Sequence, residues 1–218
     1  MRKLNRIGIL APSCLNNYSY LTQTWKVVKT KHKAKIWDEL YKIQDKLCVY
    51  CEGEAEKGAG HIEHFFHKAE PTFQYLTFDW SNLFGCCDSR VHCGHFKDEI
   101  LSGGIKRAYD AQKLIKPDID DPEDFFQFSP SGKIKEKENI SAINKDRAKL
   151  TILALNLNCS ELNSAREAQI KIFTDRVLAL TDIVDDNNFD VIAKYFVQIR
   201  SEAMKSRYRT ALKQAIAW

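Results

Sequence analysis

Five of the seven cysteines of this chain lie between residues 48 and 93, and this clustering constrains the fold more than any other feature. Thiols in a reducing compartment rarely form disulfides, so clustered cysteines favour a metal site. Cys48 and Cys51 are separated by two residues, the spacing at which a turn brings both sulfurs to one tetrahedral Zn²⁺. We therefore predict a structural zinc site that staples this part of the chain.

A tetrahedral site needs a second pair of ligands, and the chain offers it after the histidine-rich segment. Cys87 and Cys93 can supply two sulfurs across the loop between them. Cys86 is the rival of Cys87, and His92 can substitute for one sulfur. We predict that Cys87 and Cys93 complete the zinc site, with the choice between residues 86 and 87 left open.

Three histidines and a carboxylate fall within residues 61–67, between the two cysteine pairs. In a strand, alternation places His61 and Glu63 on one face and His64 on the other, so one shared site requires a bend or a curved groove. Glu63 can give an oxygen to a hard cation such as Mg²⁺, with Mn²⁺ as the alternative. Neutral His64 can deprotonate a water that attacks phosphorus, while the metal stabilises the leaving oxygen. This segment predicts a metal-dependent phosphodiester hydrolase.

Hydrophobic periodicity predicts an α+β fold in which a small zinc-stapled ββα unit is embedded in a mainly α-helical protein. The ββα unit combines strands near 61–66 and 74–78 with a helix that starts near residue 94. Residues 117–135 are expected to be loop-like because prolines and acidic residues dominate them. The remaining predicted helices cover residues 20–29, 35–47, 105–115, 140–157, 160–181 and 189–217.

These elements divide the chain into three regions. Residues 1–47 form a basic segment and the helix leading into the core, 48–104 form the zinc-stapled core, and 105–218 form a mainly helical region with a partner-docking surface. Lys and Arg are concentrated near both ends, where they either follow a phosphate backbone or simply face solvent. The chain has no apolar stretch long enough for a membrane span or a secretory signal, so we expect a cytoplasmic protein.

The order of these motifs resembles the HNH family of ββα-metal endonucleases. In that family a Cys-x-x-Cys pair precedes an acid-His dipeptide, an Asn-Leu pair and a second cysteine pair followed by x-x-Lys. The corresponding residues here are Cys48-Val-Tyr-Cys51, Glu63-His64, Asn82-Leu83, Cys87 and Cys93-Gly-His-Phe-Lys97. Residues 36–41, 48–52, 62–65 and 79–84 further resemble PtuB-type HNH proteins of Septu and retron-associated anti-phage systems, and this match covers about residues 1–105.

The resemblance implies a role for each matched residue. Glu63 would be a metal ligand, His64 the general base, and Asn82 the residue that holds the loop orienting His64. The family has His or Asn directly after the last cysteine, as a second metal ligand, whereas this chain has Gly94. His95 is the expected replacement.

Four further residues have a less specific assignment. Asp98 is the alternative to His95 as the second metal ligand. His61 either contacts phosphate or packs in the core, and Lys97 is a second candidate for a phosphate contact. His67 stands where the family often has proline and is expected to be structural.

The resemblance also implies partners. The substrate would be nucleic acid, either DNA or RNA including transfer RNA, and the partners a PtuA-type ATPase and a retron reverse transcriptase with its msDNA. The alternative is a catalytically weak adaptor, stapled by zinc, that binds nucleic acid and the ATPase. Exposed aromatic residues of the helical region would dock the ATPase, and the candidates are Tyr195, Phe196, Tyr208 and Trp218.

Overall fold

A computed structural model describes residues 1–185 and 188–216. In these residues six α-helices and two two-stranded sheets are found, with 3₁₀ turns between them. The strands are β1 (Gly60–His64), β2 (Leu83–Cys87), β3 (Phe126–Phe128) and β4 (Ile134–Glu136). The helices are α1 (Thr30–Gln44), α2 (Cys93–Lys97), α3 (Ala142–Ala154), α4 (Ser160–Thr181), α5 (Phe189–Ala203) and α6 (Arg209–Ala215). The mixed helix and strand content agrees with the predicted fold class.

Helix α1 is amphipathic and delivers the chain to the first cysteine pair, as its periodicity predicts. It buries Ile36, Leu40 and Ile43 on one side, and it ends at Gln44 because Asp45 adopts a left-handed conformation. The Gln44 side chain donates to the Gly85 carbonyl at 2.8 Å and accepts from the Gly85 amide at 2.8 Å. The end of α1 is thereby attached to the middle of β2.

Strands β1 and β2 are antiparallel and carry the candidate site. Their register places Glu63 opposite Phe84 and His64 opposite Leu83. A Cβ on Gly85 would lie 2.6 Å from the Trp37 ring, so only glycine lets α1 pack this closely on β2. Helix α2 follows after a short loop and packs against β2.

The predicted second strand at 74–78 is wrong. That segment lies in a 3₁₀ helix, Pro71–Leu76, and the partner of β1 is β2. All five residues of β2 are buried, so the strand lacks the polar alternation that identifies a half-exposed strand from sequence.

The structure also corrects the predictions for two neighbouring segments, the helix at 105–115 and the loop at 117–135. The helix expected over 105–115 is absent apart from the 3₁₀ turn Ala111–Lys113, because Gly103 and Gly104 both adopt positive φ angles and the backbone runs extended beyond them. The segment 117–135, expected to be a loop, instead contains strand β3 and most of strand β4, and the two strands pair with each other.

The N-terminal and C-terminal helix predictions also need revision. The helix expected at 20–29 is reduced to the 3₁₀ turn Trp25–Val27. The last predicted helix, 189–217, is divided into α5 and α6 because Tyr208 adopts a left-handed φ of 57°. Residues 217 and 218, including the candidate docking residue Trp218, lie outside the described part of the chain.

The buried hydrophobic cluster does not stop at the boundary drawn at residue 104. It runs from Cys48 after α1 and Phe84 in β2 through Phe126 and Leu162 to Leu212 in α6. The helical region therefore supplies much of the apolar surface that covers the small sheet. No helix within the described ranges is long and apolar enough to cross a membrane.

Candidate metal and catalytic site

Four cysteines converge at the junction of α1, β2 and α2. The sulfurs of Cys48, Cys51, Cys87 and Cys93 all lie within 4.8 Å of one another. All seven cysteines are free thiols, and these four form a donor set that matches a tetrahedral structural zinc site. The Gly53 amide donates to Cys51 Sγ at 3.3 Å, so the turn after the first pair also orients a sulfur.

Cys86 is adjacent to this cluster but is not a member of the four-sulfur set. Its sulfur lies 3.7 Å from Cys48 Sγ and accepts a hydrogen bond from the Gly94 amide at 3.4 Å. The geometry favours Cys87 over Cys86 as the fourth ligand. His92 Nδ1 lies 3.1 Å from Cys93 Sγ and 3.9 Å from Cys87 Sγ, at the edge of the cluster.

Glu63 is buried on the face of β1 that meets α2. Its Oε1 lies 3.0 Å from Lys97 Nζ and accepts from the Tyr50 hydroxyl at 3.1 Å, and its Oε2 lies 3.2 Å from His61 Nε2. Burial alone would raise the pKa of Glu63, but the Lys97 ammonium and the His61 ring hold it well below its usual value. Glu63 is therefore an ionised carboxylate held by three partners.

Gly94 is explained by this carboxylate. A Cβ at position 94 would lie 2.5 Å from Glu63 Oε2 and 2.7 Å from its carboxyl carbon. No side chain fits there while Glu63 keeps its place. Glycine at position 94 is thus a requirement of the present Glu63 position.

His64 lies on the opposite face of β1, as strand alternation predicts. Its Nε2 is 3.0 Å from the Thr77 carbonyl oxygen, to which only an N–H can donate, so Nδ1 is the unprotonated nitrogen. Nδ1 is buried and has no hydrogen-bond partner in the described structure. The Trp25 ring covers the imidazole edge-on with centroids 4.5 Å apart. Burial lowers the pKa of His64 to about 3, so the imidazole is neutral at physiological pH.

Asn82 fastens the segment that leaves β1 after His64. Its Oδ1 accepts from the Phe66 amide at 2.8 Å, and its Nδ2 donates to the carbonyls of Phe66 and Leu76 at 3.0 and 3.2 Å. These bonds join the end of β1 to the turn that carries Thr77. Asn82 thus holds in place the turn that carries Thr77, the hydrogen-bond partner of His64.

His95 is brought close to two residues that flank the sheet. Its Nε2 lies 2.8 Å from Asp88 Oδ1, and its ring stacks on His61 with centroids 4.0 Å apart. Ligand atoms of His61, Asp88 and His95 lie within 4.8 Å of one another and could hold a metal ion. Because His61 also contacts Glu63, the two predicted metal ligands Glu63 and His95 border one corner of the core.

Lys97 and Asp98 lie outside the group formed by His61, Asp88 and His95. The Lys97 side chain is fully buried, and its ammonium contacts Glu63 and Asp98 and donates to the His64 carbonyl at 3.3 Å. A phosphate contact by Lys97 would require it to leave these partners. Asp98 accepts from Tyr109 and lies 3.9 Å from His67, outside the cluster around His95.

Sequence reasoning missed Asp88, Tyr50 and Trp25. Asp88 directly follows Cys87, but an exposed aspartate has no distinguishing signal without the β1–β2 register. Tyr50 lies between the first two cysteines and reaches Glu63 only because the zinc turn folds over β1. Trp25 comes from the basic N-terminal segment, which no motif connects to His64.

Comparison with known proteins gives one informative similarity. No family model matches the chain. It is 29% identical to an Escherichia coli protein named "Retron Ec83 putative HNH endonuclease", and the matched region covers 59% of this chain and 60% of that relative. The similarity supports an HNH endonuclease relationship.

Proposed function

We propose that this chain is a metal-dependent HNH endonuclease that hydrolyses phosphodiester bonds. The observation that carries the proposal is His64, a neutral imidazole whose Nε2 is held by the Thr77 carbonyl and whose Nδ1 has no partner. A general base needs a fixed ring with one unprotonated nitrogen and a pKa near the working pH, so the pKa of His64, lowered to about 3 by burial, would have to rise when substrate binds. The similarity to the retron relative and the four-cysteine cluster support the same assignment.

In the proposed reaction, His64 Nδ1 accepts a proton from the water that attacks phosphorus. Asn82 and the Thr77 carbonyl keep the ring and its tautomer fixed during that transfer. A divalent ion held beside Glu63 and His95 would supply charge stabilisation to the phosphate. Because these residues lie on the other face of β1 from His64, one shared site requires the strand to bend when substrate binds. Structural zinc would be held by four cysteine sulfurs, those of Cys48, Cys51, Cys87 and Cys93. This ion would keep α2 against β2.

The proposed biological role is that of a toxic effector in a cytoplasmic, bacterial anti-phage complex of the Septu or retron type. The E. coli relative carries a retron in its name, and the sequence resembles PtuB-type proteins. The proposed partners are a PtuA-type ATPase and a retron reverse transcriptase with its msDNA. Exposed apolar residues on α5, among them Tyr195 and Val197, offer a docking face, whereas Phe196 and Tyr208 pack partly into the core.

The experiment compares wild type with His64→Ala, each expressed with its neighbouring genes during phage challenge. Total DNA and small RNA are then examined for cleavage, which identifies DNA or transfer RNA as the substrate. His67→Ala is the matched control because this half-buried histidine lies outside the His64 pocket. We expect cleavage to require His64 and to persist in the control. Cleavage that persists without His64 in a folded protein would contradict the proposal.

A second function, a catalytically weak adaptor, is favoured by one specific observation. His64 is 1% exposed under Trp25, and the Glu63 charge is already balanced by Lys97. In this alternative the chain binds nucleic acid and the ATPase without cutting. Intact nucleic acid in both the wild-type and the His64→Ala strain, with protection retained, would establish the adaptor.

A further inference from the structure

A second metal-binding cluster lies outside the cysteines, at the corner where β1, the end of β2 and α2 meet. His61 comes from β1, Asp88 directly follows β2, and His95 lies in α2. Each of these three parts of the chain therefore contributes one nitrogen or oxygen atom, and the three atoms lie within 4.8 Å of one another. Such convergence of two imidazoles and a carboxylate is the composition of a transition-metal site with open positions.

The distances fit one ion shared by all three side chains. Asp88 Oδ1 lies 2.8 Å from His95 Nε2 and 3.8 Å from His61 Nδ1. With metal–ligand bonds of about 2.0–2.2 Å, two ligands of one ion are separated by roughly 3–4 Å. His61 Nδ1 has no hydrogen-bond partner among the residues described, so it is available as a ligand.

Glu63 fixes the ring that presents this nitrogen. His61 Nε2 lies 3.2 Å from Glu63 Oε2, and a proton on Nε2 leaves Nδ1 unprotonated and directed at Asp88. A ligating histidine commonly donates its other ring nitrogen to a carboxylate, which orients the ring and increases its basicity. Lys97 and Tyr50 occupy Oε1 of the same Glu63, and this suits an orienting residue better than a direct ligand.

The site is also accessible to a substrate. The Asp88 side chain is 70% exposed, whereas His61 and His95 are 23% and 33% exposed. An ion bound there would keep positions facing solvent, which water or a phosphate oxygen can fill. Mg²⁺ prefers an all-oxygen shell, whereas two imidazoles favour Mn²⁺, Co²⁺, Ni²⁺ or Zn²⁺.

We propose that His61, Asp88 and His95 bind a transition-metal dication in preference to Mg²⁺, and that Glu63 is the positioning residue that orients His61. This metal site rests on the proposed function in one respect, because the bound ion would be the metal that the nuclease uses. It changes the expected ligand pair, Glu63 and His95, to a three-residue set in which Glu63 acts through His61. The structural basis for the change is that Lys97, Tyr50 and His61 already occupy both oxygens of Glu63.

The test titrates the full chain, loaded with one zinc per chain as measured by mass spectrometry, with Mn²⁺ alone. Bound Mn²⁺ is followed by the loss of the free-ion paramagnetic resonance signal. We expect one Mn²⁺ per chain and little competition from excess Mg²⁺. His61→Gln, Asp88→Asn and His95→Gln should each weaken binding by at least about tenfold. His67→Gln, a histidine outside the cluster, should bind like wild type.

Several results would overturn the ligand assignment. These are the absence of Mn²⁺ binding, ready displacement by Mg²⁺, and wild-type affinity in Asp88→Asn. Because Asp88 is exposed, misfolding would not explain a loss of affinity in that variant. Loss of binding in Glu63→Gln with normal binding in Asp88→Asn would make Glu63 the direct ligand. Because the readout is ion binding, nucleic-acid cleavage that requires His64 can survive any of these results, and ion binding can survive the failure of the nuclease assignment.

Discussion

The two faces of β1 provide opposite environments for neighbouring residues of one strand. On the α2 side, Glu63 is ionised and balanced by Lys97, and the His61 ring lies between Glu63 and the exposed Asp88. On the other side, His64 is neutral, dry and covered by Trp25. Strand alternation produces this separation, and it teaches that an acid-His dipeptide can serve two chemically different surfaces.

The largest expected effect concerns the cysteines that hold the α2 side together. Cys87→Ser should lose zinc and unfold the core, since structural zinc contributes on the order of 10 kcal/mol to folding. Cys86→Ala should retain zinc because its sulfur lies outside the four-sulfur set. Metal content by mass spectrometry and circular dichroism measure both variants. Cys159→Ser, a half-exposed thiol elsewhere, is the control, and zinc loss only in Cys86→Ala would reverse the ligand choice.

The next effect concerns the contact between Gly94 and Glu63. Gly94→Ala should displace the carboxylate from Lys97 and reduce the free energy of unfolding by about 3 kcal/mol, as expected when a buried charge loses its partner. Adding Glu63→Ala removes the clash, so the two substitutions should be strongly non-additive. Denaturant unfolding of both single variants and the double variant measures the coupling. Simple additivity would show that the close approach has no energetic consequence.

Burial of His64 should make the stability of the protein depend on pH. Folded His64 has a pKa of about 3 against an ordinary value of 6.5, because burial disfavours its charged form. The unfolded chain therefore takes up a proton below pH 6.5 that the folded chain does not, and stability falls as the pH decreases. Between pH 7 and 5 this should cost about 2 kcal/mol. His64→Gln should lack that component, and parallel pH profiles for the two proteins would contradict the burial.

The smallest expected effect on stability comes from removing the Trp25 ring that covers His64. Trp25→Ala should raise the pKa of His64 toward its ordinary value by admitting water, as measured from the ring protons by NMR. We expect a loss of only about 1 kcal/mol in stability, because Trp25 is half-buried. Val27→Ala, at a 47% exposed residue in the same turn, provides the control. An unchanged His64 pKa would mean that the turn and β2, rather than Trp25, exclude the solvent.

Sequence reasoning located much of the candidate site because its evidence was local. The Cys48 turn and the alternation of Glu63 and His64 follow from spacing alone, and both appear in the structure. The partner strand and Asp88 could not be found this way, because both depend on the β1–β2 register. A fully buried strand has no alternation to detect, and no spacing rule connects Trp25 to a histidine far along the chain.

The contact between Gly94 and Glu63 also limits the order in which substitutions at these positions can be accepted. Histidine or asparagine at position 94 is sterically incompatible with the present Glu63 carboxylate, so a change at 63 must come first or together with it. A designer who wishes to place a side chain at 94 would have to shorten Glu63 beforehand and give Lys97 another anion. The two positions are therefore sterically coupled, and a side chain at 94 requires the Glu63 carboxylate to be held elsewhere.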